Sequence, residues 1–174
     1  MEGRIEVLIS KEQIEKRTEE LARIIEKDYE GKDLVCVGLL KGSLPFMADL
    51  IKAINLDLRI DFMKVSSYGG GTNSTGVVKI LKDVDLDLRG KEILIIEDII
   101  DTGLTIKNVT EFLNQKKPAS IKVCSLLDKP SRRLVDVKGD YIGFEIPDKF
   151  VVGYGLDLDE LYRNIPFVGE FIQK

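Results

Sequence analysis

Hydrophobic and polar positions along this chain follow two periods, and the chain switches between them repeatedly. "IEVLIS" reads as a short strand. Ser10 then opens a capping box with Gln13, and a helical period runs to about Glu30, with Ile14, Leu21, Ile24 and Ile25 on one face. "DLVCVGLL" is apolar without a break, as a strand covered on both faces must be. "KGSLPFMADLIKAI" turns into a helix, and "LRIDFMKVSSY" alternates like a strand. "GGGTNSTG" reads as a loop of small residues, and residues 66 to 76 form the one candidate flexible segment. "VVKIL" is again a strand, "KEILIIE" a second central strand, and "TIKNVTEFLNQ" a helix before Pro118. "SIKVCSLLD", "YIGFEI" and "FVVGY" follow as strands, with a short turn of helix near "DLDELYR".

Strands alternating with helices through the middle of the chain predict βαβ units and therefore an α/β fold with a parallel sheet. The length of 174 residues suits one domain over 1–174, without repeat, linker or low-complexity tract. No apolar run approaches the ~18 residues that a bilayer span needs, and the start carries no signal-peptide pattern, so the expected location is the cytoplasm, away from any membrane.

Composition narrows the chemistry. The chain has no His, which excludes Ser-His-Asp and Cys-His catalysis and His-based zinc sites. A general base here is a carboxylate, a Lys or a Tyr, and a metal is a hard cation held by oxygens, such as Mg²⁺. Cys36 and Cys124 each sit inside an apolar run, which predicts two buried, reduced thiols. The net charge of −4 argues against sequence-independent nucleic-acid binding.

Two motifs fail on inspection. "DVDLDLRG" (83 to 90) spaces its Asp residues like a Ca²⁺ loop, but Leu88 stands in place of the turn Gly and Leu94 in place of the bidentate Glu. "GLLKGS" has Lys-Gly-Ser where a phosphate loop has Gly-Lys-Ser. A third motif, "LIIEDIIDTGLT" (94 to 105), survives. A parallel sheet binds ligands beyond the carboxyl ends of its strands, and here a strand delivers Glu97 and Asp98 to that edge. Asp101-Thr102-Gly103-Leu104-Thr105 then runs into a helix N-terminus, whose free N–H groups and dipole favour a phosphate. Two acids beside a phosphate cradle suit the hydroxyls of a phosphorylated sugar, with Mg²⁺ offsetting the charge.

This motif closely resembles the phosphoribosyl pyrophosphate signature of type I phosphoribosyltransferases, and more specifically of the hypoxanthine-guanine phosphoribosyltransferases. "LLKGSLPFMADL", "SSYGGGT", "LLDKPSRR" and "FEIPDKFVVGYGLDLDELYRN" resemble that family's segments in the same order, over about residues 35 to 165. The resemblance implies a parallel sheet flanked by helices, with a small hood from the N-terminal strand and the C-terminal segment. It implies transfer of the phosphoribosyl group to a 6-oxopurine with release of pyrophosphate, Mg²⁺ as cofactor, and a homodimer or homotetramer.

By the same resemblance, Glu97 and Asp98 hold the ribose hydroxyls directly or through Mg²⁺. Asp101 is the general base near purine N7, and Asp101 to Thr105 wrap the 5′-phosphate. Lys41 and Gly42 form the pyrophosphate loop, with a non-proline cis peptide just before the Lys. Arg163 contacts pyrophosphate, with Arg133 near that region. Ser67 and Tyr68 lie on a loop that closes over the site. Lys129 donates to purine O6, Phe150 stacks on the ring, Val151 meets its edge, and Asp157 holds a second Mg²⁺. Outside this context, Lys129 reads as a surface charge and Phe150 as core. Leu104 occupies a cradle position often polar or basic in the family, and Gly155 is expected to affect only loop stiffness. A xanthine preference and an RNA-binding pyrimidine-operon regulator on the same fold are the alternatives. Lys129, a pure donor, argues against adenine, and the negative net charge and the purine-type Asp101 argue against the regulator.

Overall fold

The computed structural model describes residues 3–67 and 78–174. Strand β2 (Leu34–Leu40) is buried along nearly its whole length, as its unbroken apolar run requires. It pairs in parallel with β3 (Leu58–Ser67) on one side and β5 (Glu92–Ile100) on the other. β6 (Ser120–Asp128) continues the parallel array from β5, and β7 (Tyr141–Glu145) continues it from β6. β4 (Val78–Lys82) closes the other edge antiparallel to β3, giving the order β4-β3-β2-β5-β6-β7.

The two-residue period of the strands sorts the core into two layers. Cys36, Leu94, Ile96 and Cys124 point to one face, where they pack with α1 (Lys11–Tyr29) and α2 (Leu44–Ala53). Val35, Val37, Ile93 and Ile95 point to the other, where Ile106, Val109 and Leu113 of α3 (Leu104–Asn114) cover them. Both cysteines are free thiols, and burial pushes Cys36 up to about 12.

The predicted capping box forms: Ser10 Oγ accepts from Gln13 N–H, and Gln13 Oε1 accepts from Ser10 N–H. The buried face of α1 is Ile14, Thr18, Leu21, Ala22, Ile25 and Tyr29. Ile24 does not belong to it and is 46% exposed, because at 100° per residue it falls to the side of the Ile14–Leu21–Ile25 stripe.

The hood is a separate antiparallel sheet, β1 (Gly3–Ile9), β9 (Val168–Gln173) and β8 (Val151–Val152), in the order β1-β9-β8. The helical turn expected near "DLDELYR" is absent. That segment folds as turns with a Leu158–Leu161 bridge, and Asp159, Glu160 and Tyr162 have φ of +51°, +67° and +75°. The Asp157 carboxylate accepts from Glu160 N–H at 2.9 Å, a local bond that competes with helix. Among the described residues no helix is long and apolar enough to cross a membrane.

Candidate active site

β5 runs three residues past the predicted end at Glu97, so Glu97 and Asp98 lie inside the strand's final turns of pairing and Asp101 is the first residue after it. Glu97 is buried, and its side chain folds back to accept from Asp98 N–H at 3.0 Å. Asp98 in turn accepts from Ile99 N–H at 2.7 Å. Burial, reinforced by the neighbouring Asp98, pushes the Glu97 carboxyl well above the usual carboxylate range. Burial also raises Asp98, against the pull of nearby Arg163. A buried acid beside a half-buried one is stabilised by hydroxyl donors, a cation or protons.

The cradle follows directly. Gly103 caps α3 with φ +85°, a conformation that favours glycine, and no side chain caps the helix. A Cβ at Gly103 would stand 2.9 Å from Arg133 Cδ. The Thr102 hydroxyl accepts from Leu104 N–H at 3.4 Å. A hollow of about 250 Å³ is lined by Glu97, Asp98, Asp101, Gly103 and Thr105 among others. A larger one of about 550 Å³ lies between α3 and the 135–140 segment, and none of the three acids lines it.

Two arginines shape Asp101. Arg133 donates to the Asp101 main-chain oxygen at 2.5 Å and to the Asp128 carboxylate. Arg133 therefore belongs to the cradle, and Arg163 stands in a different network. Arg132 Nε forms an ion pair with Asp101 Oδ1 at 3.2 Å, off hydrogen-bond geometry, and that oxygen is buried from solvent. Arg132 escaped the sequence reading. Its only signal is its place in "KPSRR", where the 3₁₀ turn Pro130–Arg132 aims it back at the cradle.

Lys41 follows a cis peptide from Leu40, as the resemblance implied. Its Nζ meets Glu160 Oε2 at 2.5 Å. Arg163 donates to the Gly155 main-chain oxygen at 2.7 Å and pairs with Asp157 at 2.8 Å and Glu160 at 3.3 Å. Its Nε is buried without a hydrogen-bond partner. Gly155 does more than set loop stiffness: it has φ +101°, and a Cβ there would stand 1.9 Å from the Gly42 main-chain oxygen. The 41–42 and 155–163 loops thus interlock through two glycines.

Lys129 and Phe150 invert their isolated readings. Lys129 is only 5% exposed, and its N–H donates to the Ile100 main-chain oxygen at 2.9 Å. Its ammonium has no hydrogen-bond or ion-pair partner among the described residues. Phe150 is 52% exposed and meets Phe171 in a T-shaped contact, with ring centroids 6.3 Å apart. Val151 is buried in β8 opposite Glu170. Ser67 ends β3, while Tyr68 and most of the candidate flexible segment lie outside the described residues.

Among the described residues no three acids, thiols or imidazoles cluster as a ready metal site. A divalent cation here would draw on Glu97 and Asp98 and complete its shell with substrate oxygens, the usual habit of Mg²⁺. Asp157 offers oxygens already engaged by Arg163 and Glu160 N–H.

The family model "Phosphoribosyl transferase domain" matches residues 8–159. A Staphylococcus aureus protein described as hypoxanthine-guanine phosphoribosyltransferase is 56% identical over 164 residues, which cover 94% of this chain and 92% of that protein. A crystal structure of a hypoxanthine phosphoribosyltransferase from Staphylococcus aureus superposes with a TM-score of 0.93 at 54% identity, covering 97% of this chain and 91% of that one. A hypoxanthine-guanine phosphoribosyltransferase structure from Bacillus anthracis, with HEPES in its active site, gives a TM-score of 0.93 at 46% identity, covering 99% and 100%.

Proposed function

The chain belongs to the phosphoribosyl transferase domain family, and on that premise we propose that it is a purine salvage enzyme making nucleotides from phosphoribosyl pyrophosphate and hypoxanthine or guanine. The observation that carries the reading is the buried Glu97 beside the half-buried Asp98, running within one strand end into the Gly103 cradle at the start of α3.

In the reaction, the bond from ribose C1 to pyrophosphate breaks, a bond from C1 to the purine forms, and the purine gives up one ring proton. Glu97 and Asp98 hold the ribose hydroxyls and favour the positive charge that develops at the sugar. The α3 N-terminus and the Thr102 and Thr105 hydroxyls hold the 5′-phosphate. Asp101, whose Oδ1 is buried against Arg132, takes the ring proton as general base. Lys41 and Arg163 receive the departing pyrophosphate, with Arg163 Nε ready as a donor. Glu97 and Asp98 would hold Mg²⁺, which would supply neutralisation of the pyrophosphate charge. Lys129, buried and unpaired, donates to the 6-oxo group, and Phe150 offers its open face to the ring with Val151 at the ring edge.

The test is nucleotide formation from phosphoribosyl pyrophosphate with hypoxanthine, guanine, xanthine or adenine, each with Mg²⁺ and with excess chelator. Turnover of hypoxanthine and guanine that stops with chelator is expected. Absence of turnover with every base would overturn the reading, and xanthine turned over fastest would move it to a xanthine-preferring enzyme.

A further inference from the structure

Glu160 has no role in the site as described, yet its carboxylate touches both cations assigned to pyrophosphate. Oε2 lies 2.5 Å from Lys41 Nζ, and Oε1 lies 3.3 Å from Arg163 Nη2. The backbone presents it deliberately. Glu160 sits at φ +67° between Asp159 at +51° and Tyr162 at +75°, and its N–H is anchored on Asp157. Left-handed backbone at non-glycine residues is uncommon and concentrates at functional sites. Arg163 Nε stays buried and without a hydrogen-bond partner, so Glu160 satisfies only part of the guanidinium. One anion spanning a Lys and an Arg, on a side chain that is 63% exposed, is the arrangement a mobile stand-in for a diphosphate would need.

We propose that Glu160 is an internal anion latch that pairs Lys41 with Arg163 in the ligand-free protein and is displaced by the diphosphate group of the substrate, returning to help expel pyrophosphate. This inference rests on the reading of Lys41 and Arg163 as the pyrophosphate cations. The latch keeps the two cations paired and in place. Its cost is competition: every bound pyrophosphate must first break two partly exposed ion pairs.

The experiment is calorimetric titration of the protein with Mg²⁺-pyrophosphate and, separately, with inosine monophosphate, which has no diphosphate. Glu160→Gln keeps the shape and removes the charge. Pyrophosphate should bind about three- to tenfold tighter, the range that one or two exposed ion pairs can supply. Inosine monophosphate affinity should stay within about twofold, since its phosphate sits in the α3 cradle. Glu160→Asp keeps the charge but is too short to bridge both cations, and it should also bind pyrophosphate more tightly. Unchanged or weaker pyrophosphate binding by Glu160→Gln overturns the latch. A gain in Glu160→Gln without one in Glu160→Asp assigns the effect to net charge and overturns it as well. A wild-type protein that makes nucleotide but binds no pyrophosphate overturns the latch alone, whereas one that makes no nucleotide overturns the function beneath it.

Discussion

Gly42 lies so close to Asp98 that a Cβ on it would stand 1.6 Å from Asp98 Oδ2. The loop that carries Lys41 is therefore built directly on the Asp98 carboxylate. The third layer of the contact is Gly155, whose Cβ would meet the Gly42 main-chain oxygen. Three segments far apart in the chain meet here because neither glycine carries a side chain.

Gly42→Ala accordingly forces Asp98 or the loop to move. A displacement of about 1 Å at a reacting centre can cost roughly 10²-fold in rate, and kcat/KM for phosphoribosyl pyrophosphate should fall by that order. The main sheet should survive, because the clash is confined to a strand end. Steady-state kinetics alongside a thermal melt checks this, and a near-wild-type kcat/KM would show that the contact is slack.

Asp101→Asn keeps the side-chain shape and leaves the Arg133 bond to the main-chain oxygen in place. The cradle should therefore hold its substrate while the proton acceptor is gone. Removal of a general base typically costs about 10²–10⁴-fold, so kcat should drop by that much while the phosphoribosyl pyrophosphate affinity changes little. Equal losses in both would make Asp101 a cradle residue instead of the base.

Much of this was legible in the sequence, and for identifiable reasons. Period-2 and period-3.6 patterns revealed the strands and helices because each element buries one face against a continuous core. The "EDIIDTG" stretch pointed to the candidate site because strand end, acids and helix N-terminus are contiguous. The long-range pairings were silent. Arg132 against Asp101, Glu160 against Lys41 and Gly155 against Gly42 join residues tens to more than a hundred positions apart. Lys129 and Phe150 carried no local sign that the lysine is buried and the phenylalanine open. The "DLDELYR" turn defeated a propensity argument because its backbone is left-handed at Asp159, Glu160 and Tyr162, which no helical period reveals.

The Glu97 carboxyl gives a pH signature. Its folded value is raised by burial and by Asp98, while its unfolded value is the ordinary ~4.3. The protonated form therefore favours the folded state. That contribution is complete below the ordinary value and is lost as pH rises through the raised one. Glu97→Gln, always neutral, should match wild type at low pH and exceed it in Tm by a gap that opens towards neutral and alkaline pH. For a chain of this size each kcal/mol recovered is worth about 2–4 °C. The same variant should lose nucleotide formation. Melting curves across pH, run without ligand, decide the matter: identical pH dependence of the two proteins would mean that Glu97 is not held out of its normal range.

Base choice rests on Lys129. An ammonium carries three donors and no acceptor, and this one belongs to a residue only 5% exposed, just past the end of β6, with no protein partner among the described residues. A 6-oxo group satisfies it, whereas a 6-amino group presents donor to donor and leaves both unmatched. A site built around a polar partner rejects the mismatched analogue by about 10⁴-fold or more, so adenine should be essentially inert while hypoxanthine and guanine turn over. Lys129→Gln supplies a donor and an acceptor on a shorter stem. It should raise KM and lower kcat for hypoxanthine and shrink its advantage over adenine. Competition assays with the two bases in one reaction measure that ratio directly. Wild-type turnover of adenine at the rate of hypoxanthine would defeat the assignment, as would unchanged hypoxanthine kinetics in Lys129→Gln.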